Sequence, residues 1–167
     1  MDNVSRSFIE KLGLHFEADG MPRTAGRVLG FLMLQDDPAS LEAISDALQV
    51  SKASSSTNCR LLERAGFADR VSLPGDRKDY YRISPEMAQT TLDAARHRIE
   101  SMERLMSWAL ESLPASLETG HDRIREMLDL HGFLADELDT VIDRWRVRRK
   151  AASERIPADN DSAAPAG

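Results

Sequence analysis

Between Ser40 and Ile83 four local patterns follow one another in an order that few folds accommodate. Ser40 precedes Leu41, Ile44 and Leu48, so a capping hydroxyl stands in front of apolar residues at helical spacing. Ser51 caps a second, polar helix that Gly66 stops. Phe67–Leu73 and Asp79–Ile83 then read as two strands, and Pro74-Gly75-Asp76 supplies the turn of a hairpin whose tip is basic. Ser55, Cys59 and Leu62 recur at i, i+4, i+7 and are expected to face the core. Ala53, Thr57, Arg60 and Arg64 point the other way, flanked by Ser54 and Ser56.

Helices bracket this segment. Phe8, Leu12, His15 and Phe16 predict a helix over roughly residues 3–18, ended by Asp19-Gly20-Met21-Pro22. A second helix follows to about Leu34 and buries Ala25, Val28, Leu29 and Leu32; Gly26 and Gly30 on it admit another helix at close range. Ser84-Pro85-Glu86 opens a long helix as cap, first-turn proline and early carboxylate. Its seam runs Ala88, Leu92, Ala95, Ile99, Met102, Met106, Ala109, Leu113 until Pro114 breaks it. A last stripe runs Leu117, His121, Ile124, Leu128, His131, Leu134 or Ala135, Leu138, Ile142, Trp145, in one helix to about Arg149 with a possible bend at Gly132. The expected fold is mainly α with a small β-hairpin wing: a winged helix-turn-helix over 22–83, flanked by helical dimerisation regions at 1–21 and 84–150. The polar stretch 151–167 is expected to be a disordered tail.

The formal charge of −6 argues against a nucleic-acid partner until its distribution is considered. Residues 51–82 carry seven basic side chains (Lys52, Arg60, Arg64, Arg70, Arg77, Lys78, Arg82) against four acidic ones, while every other region is acidic. A positive island in an acidic protein meets phosphate through one patch and limits indiscriminate binding. The absence of an apolar run of about 18 residues gives no expectation of a membrane span. No secretion signal is recognisable, and the single cysteine excludes an internal disulfide, so a cytoplasmic protein is expected.

The string Ser51-Lys52-Ala53-Ser54-Ser55-Ser56-Thr57-Asn58 has low helix propensity. Small hydroxylated residues suit a helix N-terminus lying against DNA, where they approach closely and donate to phosphates or base edges. Lys52, Ser54, Ser56, Thr57 and Arg60 are the candidate groove residues, and Arg77 and Lys78 the candidate wing contacts. Asp76 is expected to orient the wing by pairing with its arginines. The competing readings are a solvated or phosphorylated Ser-rich helix and a merely solvated hairpin tip.

Ser51-Lys-x-x-x-Ser56, Leu62-Glu63, Gly66-Phe67, Pro74-Gly-Asp-Arg77 and Tyr80-Tyr81 together resemble the MarR family of bacterial regulators, in particular its GbsR-like branch. Phe8-Ile-Glu-Lys-Leu-Gly13, Phe16-Glu17, Ala25-Gly-Arg-Val-Leu-Gly30 and Ser56-Thr-Asn58 extend the likeness to mycobacterial repressors of lipid-export and drug-efflux genes. The resemblance covers roughly residues 7–150. It implies a homodimeric repressor on a pseudo-palindromic DNA operator, with half-sites about 10 bp apart, that a small lipophilic effector releases. The effector pocket is then expected between the first two helices and the start of the long one, at Leu12, Phe16, Met33 and Met87. Ser55 stands where the family usually has Val or Ile, and Cys59 where Leu or Ala is usual, so a lighter core is expected beneath this helix.

Cys59 admits two readings, a redox sensor or a buried core thiol, and its inward spacing favours the second. His15, His97, His121 and His131 are scattered without ligand spacing, so no metal and no cofactor is expected. Met87, Met102, Met106 and Met127 admit two readings, ordinary seam packing, which is favoured, or the lining of an effector pocket between the long helices and the DNA-binding module. No phosphate loop, nucleophile elbow, H-E-x-x-H or paired-carboxylate pattern occurs, so no catalytic residue is assigned. The alternative from another class is a winged protein–protein adaptor without specific DNA binding.

Overall fold

The computed structural model describes residues 1–153, so the expected disordered tail lies, beyond Ser153, outside the described residues. The elements in chain order are α1 (Asn3–Ala18), α2 (Arg23–Leu32), β1 (Ala39–Ser40), α3 (Leu41–Leu48), α4 (Lys52–Arg64), β2 (Ala68–Val71), β3 (Tyr80–Ile83), α5 (Met87–Ser112) and α6 (Glu118–Ser153). They fall into two compact units, one from Met1 to Thr90 and one from Thr91 onward.

In the first unit α1 starts at an Asp2 cap, whose carboxylate accepts from the backbone N–H of Val4 and Ser5 at 2.8 and 2.9 Å. The Ser5 hydroxyl bond, joined by these backbone bonds, holds the Asp2 carboxyl down at about 2. Helix α1 packs on α2 almost backbone to backbone. A Cβ on Gly26 would stand 2.6 Å from the Leu12 carbonyl oxygen and 2.9 Å from the Gly13 Cα. The spacing of Gly26 and Gly30 anticipated this approach but not its partner helix. Glu10 of α1 pairs with Arg23 at 3.0 Å and Arg27 at 2.7 Å, and Arg27 also donates to the Leu48 carbonyl at 2.8 Å. Burial raises the Glu10 carboxyl, but the two guanidiniums outweigh it and hold the group below its ordinary value.

Helix α3 is capped by the Ser40 hydroxyl, which accepts from Ala43 N–H at 3.1 Å, and ends at Gln49 in the left-handed region (φ 53°). Ser51 caps α4 in the same way through Ser54 N–H at 3.1 Å. Ile9, Val28, Leu32, Ile44, Cys59, Leu62 and Tyr81 form the centre of the core. The strands make an antiparallel sheet in the order β1-β3-β2, with Arg70 opposite Tyr81 and Ala39 opposite Tyr81 on its other side. The sequence gives no sign of β1, which is two residues long and pairs forty residues away.

Helix α5 begins at Met87, later than the Ser84-Pro85-Glu86 pattern suggests. Ser84 instead closes a turn, its carbonyl accepting from Met87 N–H at 3.0 Å and its hydroxyl from Glu86 N–H at 3.4 Å. Helix α2 stops at Leu32 rather than Leu34. In the second unit α5 folds back on α6 through Arg96, which pairs with Asp139 at 2.7 Å and with Glu100 at 3.2 Å. Helix α6 runs unbroken through Gly132 to Ser153. Ala109, Ala135 and Ile142 are buried, whereas Leu105, Trp108, Leu130 and Phe133 are exposed, Trp108 and Phe133 by about 60%. Among the described residues no helix is long and apolar enough to cross a membrane.

Gly26→Ala is expected to lower stability by about 1–3 kcal/mol, because the new methyl meets backbone rather than a movable side chain. Gly120→Ala, whose Cβ would meet only Leu117 Cβ at an ordinary 3.6 Å, is expected to be neutral or stabilising by about 0.5–1 kcal/mol. Thermal unfolding followed by circular dichroism checks both.

Candidate nucleic-acid interface

The outward face of α4 is laid down by its inward one. Ser55, Cys59 and Leu62 are fully buried, which turns Ala53, Thr57, Arg60 and Arg64 to solvent. Ser54 and Ser56 sit half-buried on the flanks, as their spacing predicted. The lighter core expected from Ser55 is compensated by polar contact. Its hydroxyl shares a hydrogen bond with buried Ser45 of α3 at 3.0 Å, and Ser45 also donates to the Leu41 carbonyl at 2.7 Å. Asn58 is buried too, and its amide donates to the Ser54 carbonyl at 2.8 Å.

The wing connects β2 and β3. Asp76 organises its tip, but not by the arginine pairing that the sequence suggested. One carboxylate oxygen accepts from the Lys78 backbone N–H at 2.9 Å and the other from the Tyr80 hydroxyl at 2.8 Å. Those bonds, the Tyr80 one foremost, hold the Asp76 carboxyl below its ordinary value. Rigid local acceptors near a turn are satisfied by the nearest donors, and here these are backbone and phenol. Gly75 supplies the positive φ of 81° that the turn requires.

The seven basic side chains divide by their partners. Arg70 pairs with Asp79 at 2.6 Å and Arg82 with Asp69 at 3.5 Å. Lys52 and Lys78 both reach Glu42 of α3, at 3.0 and 2.7 Å. Arg60, Arg64 and Arg77 make no ion pair among the described residues and are exposed. Lys52, Arg77 and Lys78 line a common cleft of about 190 Å³ with Glu42 and Asp79, so the start of α4 and the wing present their cations to one place. Glu42 was missed at the sequence level; its only local signal is an acidic residue in the first turn of a helix, which the helix dipole favours by itself.

The residues expected around an effector are placed as follows. Phe16 is buried in the core, Leu12 and Met87 pack against it half-buried, and Met33 is exposed at the end of α2. Among the described residues no group of three His, Cys, Asp or Glu side chains is arranged to hold a metal ion. His15 lies 3.7 Å from Asp19 at the surface, and His131 Nδ1 is 2.7 Å from the Met127 carbonyl.

A sequence model of the MarR family matches residues 19–79, and one for MmpR5-like MarR family transcriptional regulators matches residues 90–148. The chain is similar to the HTH-type transcriptional regulator MmpR5 of Mycobacterium tuberculosis, 33% identical over 145 residues covering 84% of this chain and 86% of that one. It is also 33% identical over 90 residues to the HTH-type transcriptional repressor OpcR of Bacillus subtilis, covering 54% of this chain and 49% of OpcR. A crystal structure described as that of a transcriptional regulator superposes with a TM-score of 0.68 at 32% identity, covering 85% of this chain and 97% of that one.

Cys59 is fully buried, and burial, seconded by Glu63, pushes its thiol up to about 12. A thiol so placed holds almost no thiolate near neutral pH. The folded protein is therefore expected to resist iodoacetamide at neutral pH and to react fully in denaturant. Between the ordinary value of 9.0 and about 12 the folded state keeps a proton that the unfolded chain releases, so stability is expected to fall as pH rises through that window. Urea titrations across alkaline pH, compared with Cys59→Ala, check the sign.

Proposed function

The chain belongs to the MarR family of transcriptional regulators, and we propose that it is a homodimeric repressor that binds a pseudo-palindromic operator and leaves it when a small lipophilic effector binds. The observation that carries the DNA reading is the common cleft of Lys52, Arg77 and Lys78, together with the exposed Thr57 and Arg60 of α4. In this reading α4 enters a major groove, with Lys52, Ser54, Ser56, Thr57 and Arg60 toward phosphates and base edges, and the wing brings Arg77 to the neighbouring minor groove. The apolar side chains exposed on α5 and α6 support a second copy as the partner, since a two-helix hairpin with three buried residues among those described leaves much apolar surface in water.

The effector lodges, in this proposal, against Leu12, Phe16, Met33 and Met87 and favours a dimer whose two α4 helices no longer match the groove spacing. The resemblance to efflux-gene repressors points the regulated genes toward an efflux or transport operon, and a DNA-bound regulator acts in the cytoplasm. Retention of the protein–operator complex across a titration of lipophilic compounds counts against the effector step alone.

Binding to the DNA upstream of the protein's own gene, beside a random duplex and at two salt concentrations, tests the core of the proposal. Arg77→Ala is expected to weaken binding and to flatten the log–log salt slope by about 0.9, as one phosphate contact is lost. Thr57→Ala is expected to leave the slope and to reduce operator preference about fivefold, on the scale of one lost hydrogen bond to a base edge. Variants indistinguishable from the parent on both duplexes overturn the residue assignment. No binding at low salt overturns the DNA reading in favour of an adaptor.

A further inference from the structure

Two lysines from distant parts of the chain converge on one carboxylate. Lys52 opens α4 and Lys78 follows the wing tip, yet each takes one oxygen of Glu42, Oε1 at 3.0 Å and Oε2 at 2.7 Å. We propose that Glu42 is an intramolecular counter-anion that masks Lys52 and Lys78 and sets DNA affinity below what the fold would otherwise allow. The inference rests on the DNA-binding reading and adds to it a residue that tunes binding without being a contact.

Three observations support a mask rather than a structural lock. All three side chains are half-exposed or more, so the pairs exchange readily with solvent ions. The carboxylate sits in the first turn of α3, whose helix is fixed by its Ser40 cap and by Arg27 on the Leu48 carbonyl, so Glu42 stays beside the lysines when phosphate arrives. The cleft it shares with Lys52, Arg77 and Lys78 carries three cations against Glu42 and Asp79, and Asp79 is engaged by Arg70. Glu42 is thus the acidic group that offsets the two lysines. A phosphate approaching either lysine displaces one carboxylate oxygen and is repelled by the charge that remains.

Removing that charge while keeping the shape is the test. Glu42→Gln is expected to raise affinity for both operator and random duplex about three- to tenfold at roughly 0.1 M salt and to steepen the salt slope by about 0.9, the change for one added effective phosphate contact. Glu17→Gln, which removes an exposed charge from α1, a helix that carries neither lysine and packs on α2, controls for overall charge and is expected to change affinity less than twofold. Matching thermal melts for the two variants and the parent confirm that folding is not the variable. A parent that binds DNA while Glu42→Gln binds no more tightly than Glu17→Gln overturns this inference alone. Weaker binding by Glu42→Gln does so too, and makes the carboxylate a brace that positions the lysines. A parent without salt-sensitive DNA binding overturns the DNA reading and the mask together.

Discussion

Helix α2 lies against the backbone of α1 at Gly26, and the placement of α4 descends from that contact. With α1 this close, Glu10 reaches both Arg23 and Arg27, and Arg27 is held where it can also cap the C-terminal carbonyl of Leu48. The end of α3 is thereby tied to α1 and α2 before the chain turns through Gln49 and Val50 into α4. A side chain at Gly26 would push α1 away and loosen each later link. The first helix is thus part of the machinery that aims α4, whatever it contributes to association with a second copy.

Between α3 and α4 the packing is of another kind. Ser45 and Ser55 meet as a buried hydroxyl pair, and Cys59 adds a small soft side chain below them. A valine or isoleucine at 55 would fill more volume but hold the two helices by shape alone. The hydrogen bond is directional, and because the partner groups are satisfied its burial carries little penalty. The hydroxyl pair thus adds one directional point to the apolar packing of Ile44, Leu48, Cys59 and Leu62 in the common core.

What could be read in the sequence follows the range of the interaction behind it. The Ser40 and Ser51 caps, the inward set Ser55, Cys59 and Leu62, and the outward set Thr57, Arg60 and Arg64 depend on neighbours within one or two turns, and periodicity was enough to find them. Strand β1 was not legible, because two residues carry no alternation and Ala39 and Ser40 become a strand only by pairing with Tyr81 and Tyr80. The start of α5 was misplaced because Ser84 offers a cap at the sequence level yet closes a turn in the fold. Asp76 was legible as an organiser of the wing but not by its partners, since a hydrogen-bond acceptor does not announce which donor will reach it. Glu42 was invisible as a site residue: its lysines are 10 and 36 positions away. Of the effector region the sequence indicated only apolar residues on three helices, a pattern that core and pocket share.

Charge in this protein acts by proximity. A formal −6 spread over the chain matters little at a patch, because at physiological ionic strength a charge beyond about 8–10 Å is largely screened. The acids that count are those already touching the basic side chains: Asp69, Asp79 and Glu42 pair with four of the seven, and Arg60, Arg64 and Arg77 have no ion pair among the described residues. Two of these arginines lie on α4 and one on the wing, so the uncompensated charge is split between the two elements a duplex would meet. A polyanion that touches only one of them gains little, whereas a ligand whose phosphates are spaced to meet both gains from each. On the proposed DNA-binding reading, selectivity for the shape of a duplex over polyanions in general arises from which pairs are closed, before any base edge is read.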